Sequence, residues 1–583
     1  MTRTRTIPTT RTPSVVSSSI RIEGEEIART FSVYSIVVSK EINKVPRAKV
    51  IILDGNASGG NFGASNEELF IPGKEMEILS GYQNDLQTIF KGIIISHSIK
   101  IRPDGSSALI VECRDKAFKM TLSRQSRYFF NQNDSEIIQQ KCREYGMNAD
   151  TASSPVAHKE VVQYNSTDWD FIISRAEANG LFCIVNNGGL SVHPPDLQQD
   201  PALSLQYGAT ILELDAEIDA RNQVSGITSQ SWSYEDQRVE ETDARDPALS
   251  LNGNLSPEFL AEVSGREKHI LRHGGRLSTE ELQAWSDAML LRRQLAKVRG
   301  RVKCRGIHNV NPGETIELGG IGERFNGKAW VSGIQHQIAD GGWQMDIQFG
   351  IDPETFAEKV PMESPPASGL LPAIKGLHAG VVTELGGDPD DEDRIQVRLP
   401  LIDQANNGIW ARVASLDAGN ERGAFFRPEI GDEVIVGFIN DDPRDAIVLG
   451  MLNSSNKPAP LPTSNDNHQK GFVSRSKLKW IFDDEKRSIT AETPDGKKIV
   501  ASDHDGTVEI SDENNNSIVM DSQGITIKSD GKIEIKAQRD LNLEGMMSTN
   551  IKAGTSFKAE GSAGAEISSS GVVEINGSLV KIN

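Results

Sequence analysis

The sequence predicts a mainly β chain with some α. It divides into a mixed α/β N-terminal stretch, a small five-stranded barrel and a C-terminal β-prism wound from three chains. Three observations carry this prediction. Strand and helix signals alternate from about residue 19 to 350. Five short strands then follow one another between residues 376 and 456, separated by Gly/Asp turns. Near the C terminus, apolar pairs recur every eight residues on one face of an alternating pattern.

In the first stretch the strand signals are Phe31-Ser-Val-Tyr-Ser-Ile-Val-Val, Lys49-Val-Ile-Ile-Leu and Phe90-Lys-Gly-Ile-Ile-Ile-Ser-His. Helices are expected next. One is capped by Asp134 or Ser135, runs to about Tyr145 and closes at Gly146. A second opens at Thr167 or Asp168 and closes at Gly180. Ser278 and Glu281 form a capping box ahead of the longest helix, expected to stop at Gly300. Strands resume at Gly300-Arg-Val-Lys-Cys, Glu314-Thr-Ile-Glu-Leu and Lys328-Ala-Trp-Val-Ser-Gly-Ile. Pro361, Pro365, Pro366 and Pro372 then punctuate a linker.

The five short strands are Gly380-Val-Val-Thr, Arg394-Ile-Gln-Val-Arg-Leu, Ile409-Trp-Ala-Arg-Val, Glu433-Val-Ile-Val-Gly-Phe and Ala446-Ile-Val-Leu-Gly. That number in so short a stretch predicts a barrel of the OB type. A second linker, rich in Pro, Ser and Asn, follows from Lys457.

The repeat is carried by Ile525 and Ile527, Ile533 and Ile535, and Leu541 and Leu543, with polar residues between and beside them. Weaker pairs continue on the same odd-numbered face, among them Ile551, Ile567, Val573 and Ile575. Upstream, Val508, Ile510, Ile518 and Met520 lie on even positions, so the register shifts by one around Asp521–Gly524. Eight residues are too few for a βα unit or for a solenoid coil with its own core. One chain therefore offers a thin ribbon with one apolar face. Three chains wound together would pair every edge and bury the three stripes on a common axis; the alternative is a plain antiparallel meander.

The chain has 583 residues, 62 basic and 82 acidic, for a net charge of −20. So many residues imply three or four domains. The acidic balance disfavours DNA, RNA and anionic lipid as partners. The barrel stretch 376–456 holds six Arg and no Lys against fifteen Asp or Glu, which argues against a nucleic-acid-binding OB face and for a structural collar. No run approaches eighteen apolar residues, so no spanning helix is expected. The Thr- and Arg-rich N terminus lacks an apolar h-region, so we expect a solvated tail and folding in a bacterial cytoplasm without a signal peptide. Cys113, Cys142, Cys183 and Cys304 lie far apart and read as reduced, buried thiols.

His269 and His273 have the spacing of a zincin pair, but Ile270 stands where the catalytic Glu belongs. Asp388-Pro-Asp-Asp-Glu-Asp resembles a calcium loop, yet Asp393 and Leu399 replace the required Gly and Glu, which leaves a solvated acidic turn. No phosphate-binding Gly-rich loop and no nucleophile elbow occurs. We therefore expect a non-enzymatic protein with no cofactor, no bound metal and no catalytic residues.

The order of these segments resembles the VgrG-type spikes of type VI secretion and related phage-tail-like contractile injection systems. The resemblance rests on Tyr164-Asn-Ser-Thr-Asp-Trp-Asp-Phe-Ile-Ile-Ser-Arg-Ala-Glu-Ala-Asn-Gly, Asn407-Gly-Ile-Trp-Ala-Arg-Val, Gly423-Ala-Phe-Phe, Arg427-Pro-Glu-Ile-Gly-Asp-Glu-Val and Asp441-Asp-Pro-Arg-Asp-Ala-Ile-Val-Leu-Gly. It implies a tail over residues 1–20, a tube-docking hub of two related β-barrels with helices over 21–357, a linker over 358–375, an OB-fold collar over 376–456, a linker over 457–475 and a triple-stranded β-helix needle over 476–583. The implied partners are two further copies in a homotrimer, the hexameric Hcp-like inner tube, baseplate proteins, a PAAR-like tip cap and effectors. The cap is expected on Val580, Lys581, Ile582 and Asn583. Because the chain ends right after the repeat, no fused C-terminal effector is expected. The last histidine is His504, so the His-x-His iron site of some phage tips has no counterpart. The implied role is to cap the tube and puncture a target membrane, leaving the cell as part of an injection particle. The alternative is a phage-type tail hub or depolymerase that degrades glycans.

Overall fold

A computed structural model describes residues 15–83, 85–265 and 268–582. They form two compact units, 15–374 with 440–443, and 375–439 with 444–582. The chain is mainly β. Most of the expected N-terminal tail lies outside the described residues, but its last part does not. Val16–Ile22 is a strand whose Ile20 and Ile22 alternate into the core, paired antiparallel with Glu75–Tyr82.

In the first unit one sheet of thirteen strands carries most of the backbone pairing. The path runs from Glu213–Ile218 through Val298–Arg305, Gly342–Phe349 and Gly327–Ala339. It crosses to Ser32–Glu41 and continues through Arg47–Leu53, Ser107–Arg114, Asp85–Ile101 and Glu75–Tyr82 to Val16–Ile22 and Glu25–Glu26. The crossing pair runs antiparallel from Gly333 opposite Glu41 to Ala339 opposite Ser35. The resemblance implied two related barrels; the pairing is one continuous sheet around two cores. One core gathers Ile36, Val50, Phe70, Met76, Phe90 and Val111, and the other Val302, Ile316, Val331, Met345 and Ile347. Ile338 and Trp343 reach from the second half into the first core, so apolar packing joins the halves as well as hydrogen bonds.

Four helices of eight residues or more lie in this unit among the described residues, α1 (Asp134–Glu144), α2 (Asp168–Ala178), α3 (Pro257–Ser264) and α4 (Thr279–Leu295), and one short helix follows at Phe356–Lys359. The cap of α1 is Asn133, one residue before the expected Asp134 or Ser135. Asn133 accepts from the Glu136 N–H while Glu136 closes the box on the Asn133 N–H. Thr167 caps α2, and Ser278 with Glu281 boxes α4, both as read from the sequence. Helix α4 ends at Leu295 instead of Gly300. Gly300 lies inside the strand Val298–Arg305, where a Cβ would meet the Asp215 carbonyl at 2.4 Å and the Phe349 ring at 2.6 Å. It is glycine because another backbone passes close by, and it stops no helix.

A buried ionic node ties these helix starts together. Arg175 of α2 donates its Nε and Nη2 to the two Asp134 oxygens at 2.6 and 2.9 Å. The ring nitrogens of His158 face Asp134 at 3.1 Å and Glu281 at 3.3 Å. Those two carboxylates raise the His158 pKa to about 9, against burial and the nearby Arg175 charge. Burial opposes ionisation of Asp134, yet bonds from His158, Arg175 and Asn179 hold its pKa down at about 2. Beside it, Asp168 accepts from Lys141 at 2.9 Å, Gln163 at 2.8 Å and Tyr145 at 2.7 Å.

In the second unit the strands His378–Glu384, Ile395–Arg398, Ile409–Val413, Glu433–Phe438 and Ala446–Met451 close into a barrel. Its filling is small and β-branched: Val382, Ile395, Val397, Ala411, Val434, Val436, Ala446 and Val448. A seven-stranded antiparallel meander follows, with neighbours in chain order from Gln469–Val473 to Gly524–Lys528. Its first strand falls inside the stretch 457–475 expected as a linker, because Phe472 and Val473 supply the edge that Trp480 and Lys479 pair with.

Candidate functional site

The meander is built from five-residue strands with apolar side chains at the second and fourth positions. Pairing lines these into two rows across the sheet. One row is Phe472, Trp480, Ala491, Ile499, Ile510, Ile518 and Ile527. The other, beginning after Lys470, is Phe482, Ile489, Ala501, Val508, Met520 and Ile525. Both rows are open to solvent; Trp480 is 55% exposed, Ile499 54% and Ile525 68%. At the head of the rows the Phe426 ring from the barrel unit's loop stacks on Phe472, with centroids 4.9 Å apart. The other face carries Lys479, Asp483, Glu492, Lys498, Glu509 and Lys528, with Lys479 and Glu492 paired at 3.3 Å, and has the half-buried Ile481, Val500 and Val519 at its strand centres.

Six turns connect the strands, and each holds or ends on a residue of positive φ: Lys477, Arg487, Gly496, Gly506, Asn515 and Gly524. The parity shift inferred around Asp521–Gly524 is one of these turns. Asp521 pairs with Gly524 across two loop residues, so even positions on one strand face odd positions on the next while the apolar face stays continuous. The rows above Val508 have no constant signal in the sequence for the same reason: the parity changes at alternate hairpins, and most strands start nine or ten residues apart instead of eight.

The predicted stripe residues divide into two groups. Ile525 and Ile527 sit on the last strand of the meander. Ile533, Ile535, Leu541, Leu543, Ile551, Ile567, Val573 and Ile575 lie in 529–582, where no strand forms among the described residues, and all are exposed. Of the tip residues, Val580, Lys581 and Ile582 are exposed, and Asn583 lies outside the described residues.

The motifs weighed for chemistry have structural explanations. His269 and His273 lie on the strand Lys268–His273, not on a helix or loop, so they do not share the helical face a zincin pair needs. Asp388 accepts the backbone N–H groups of Asp390, Glu392 and Arg394 and the Arg394 guanidinium, which holds its carboxyl well below the usual range. The acidic run is a turn latched by its own arginine. All four cysteines are buried and unpaired, and burial pushes Cys113, Cys142 and Cys304 up to about 12.

Two family models match the chain. Residues 378–452 match the type VI secretion system/phage-baseplate injector OB domain, the segment that closes as a barrel. Residues 12–340 match the Alg8 N-terminal domain. The chain belongs to the Alg8 N-terminal domain family. Its curated relatives include VgrG spike proteins of type VI secretion. VgrG1b of Pseudomonas aeruginosa is 24% identical over 422 residues, 66% of this chain and 54% of the relative. VgrG1a of the same organism is 22% identical over 443 residues, 69% and 66% respectively. The chain thus matches between about half and two thirds of the length of these relatives. Among solved structures, the 43 kDa tail protein of prophage MuSo2 from Shewanella oneidensis aligns with 58% of this chain and 98% of its own, at 13% identity and a TM-score of 0.45.

Proposed function

We propose that this chain is the homotrimeric spike of a contractile injection apparatus. The observation that carries the reading is the uncovered apolar face below a closed barrel, continued beyond Ile527 by the eight-residue repeat. Three copies winding residues 529–582 around one another would place Ile533, Ile535, Leu541, Leu543, Ile551, Ile567, Val573 and Ile575 on a common axis and leave no strand edge free. The barrel then acts as a collar. The two cores of the first unit act as a pair of related docking modules, so that three chains meet a hexameric Hcp-like tube together with baseplate proteins. A PAAR-like cap sits on residues 580–583, and effectors ride with it. The spike works without catalysis: contraction supplies the force, and a stiff needle concentrates it on a small area of target membrane. It folds and assembles in the bacterial cytoplasm and leaves as part of the particle. The VgrG-type relatives and the matching barrel model support this role.

Light scattering on the purified full chain tests the proposal. A mass near 3 × 63.7 kDa, about 191 kDa, is expected. A particle of 63.7 kDa would reject the spike reading.

A further inference from the structure

The first unit holds an open cleft of about 710 Å³ between the strands Asn148–Thr151, Phe182–Asn186 and Gly189–His193 on one side and the turn Asn311–Glu314 on the other. Lys40 lines it and is only 3% exposed. Its Nζ donates to Asn186 Oδ1 at 2.7 Å, its one hydrogen-bond partner among the described residues. Burial pulls its pKa down to about 8, against the charges of Asp115 and Glu314. An ammonium carries three N–H groups, so a buried one with a single acceptor leaves donors for an incoming carbonyl or hydroxyl oxygen. The other charged side chains of the lining are acidic. Asp150 and Asp196 are exposed, Asp150 facing His193 at 3.1 Å, and the half-buried Glu314 carboxylate accepts the Asn311 N–H at 2.8 Å.

We propose that this cleft binds a basic, extended polypeptide segment and that its occupant is residues 1–14 of the same copy. They read Met1-Thr-Arg-Thr-Arg-Thr-Ile-Pro-Thr-Thr-Arg-Thr-Pro-Ser, with three Arg and no acidic residue in a chain of net charge −20. Charge and hydrogen bonding both fit. Arg3 and Arg5 fall about 7 Å apart on one side of an extended backbone and meet the carboxylates. The carbonyl and Thr hydroxyl oxygens beside them supply the acceptors that Lys40 lacks. Reach fits as well. The segment joins the described chain at Val15, next to Val16, which pairs with Tyr82. The Tyr82 hydroxyl donates to the Gly306 carbonyl at 3.0 Å, and Asn311 follows five residues on, at most about 19 Å away. From Val15 back to Arg3 an extended chain spans up to about 40 Å. So short a tether holds the segment at millimolar effective concentration, and exposed ion pairs that are weak one by one suffice to seat it.

Thr4→Cys in the full chain, carrying a benzophenone maleimide, tests this. The four native thiols are buried, so the introduced one takes the label. After illumination, mass spectrometry should place the cross-links on residues 148–150, 189–199 or 311–314 of the same copy. Adding Asp150→Asn and Asp196→Asn should lower their yield at least about fivefold. Asn at position 196 still accepts the Gln198 N–H, so the turn there is kept. With the cleft unaltered, about 1 M salt should lower the yield likewise, because it shortens the Debye length to about 3 Å. Cross-links scattered over the acidic surface, or a yield unchanged either by the two substitutions or by salt, would overturn the proposal. A cross-linked species of doubled mass would give the segment to a neighbouring copy and overturn occupancy within one copy.

Discussion

His158 sits where the starts of α1 and α4 and the side of α2 converge, and both its ring nitrogens face carboxylates. Its folded pKa of about 9 lies above the ordinary value of 6.5. A raised histidine stabilises the fold fully below the unfolded pKa and loses that contribution as pH climbs through the folded one. His158→Gln should therefore cost about 2 kcal/mol below pH 6.5 and little well above pH 9. Denaturant unfolding at the two ends of that window measures the difference, and an equal loss at both would assign the effect to packing alone. Nothing local in the sequence marks His158, because Asp134 and Glu281 are distant in the chain and only the fold brings them together. His336 is the opposite case. It is buried beneath Trp343, whose Nε1 donates to its Nδ1 at 3.3 Å, and burial lowers its pKa to about 3, so it is a neutral core residue.

Helices and strands were legible where their signals are local. Ser278 and Glu281 form their box within one turn, and the apolar runs around Val37, Ile51 and Val331 declare β structure through alternation or β-branching. The cap of α1 was displaced by one because Asn133, Asp134 and Ser135 can all cap. The Asn133 side chain is the one that reaches the Glu136 N–H, while Asp134 is committed to Arg175 and His158. Asn133→Ala should accordingly destabilise the first unit by about 1 kcal/mol, read from a melt of the full chain. Gly300 reads as a stop in the sequence because a glycine at a close backbone approach looks the same there as one that ends a helix. Gly300→Ala forces a methyl into the Asp215 carbonyl, and we expect a loss of about 1–3 kcal/mol together with faster amide exchange along Glu213–Ile218. Unchanged exchange there would show that the neighbouring strand yields freely.

Across the whole molecule, the barrel was the most legible part, since each strand is a short alternating run between turn residues and all five close within one copy. The apolar repeat is clearest from Ile525 onward, where parity stays constant and the first three pairs lie eight residues apart; Val508 to Met520 read only as the same face one residue out of step, and the meander above them hides it behind hairpins of changing length. Ile533→Asp or Ile535→Asp would bring like charges together on the proposed axis, and neither variant should yield a trimer by light scattering. A stable trimer from either would reject the intertwined repeat. Deleting residues 580–583 should abolish binding of a purified PAAR-like cap in a pull-down while leaving the mass unchanged; retained binding would move the cap site elsewhere. The open rows from Phe472 to Ile527 also set a rate. The first unit and the barrel have complete cores within one copy, so their folding should be indifferent to dilution. On the proposed trimeric reading, closing the needle requires three chains to meet. In refolding, halving the chain concentration should slow that closure about fourfold, and a cell making few copies would wait longest for a finished point.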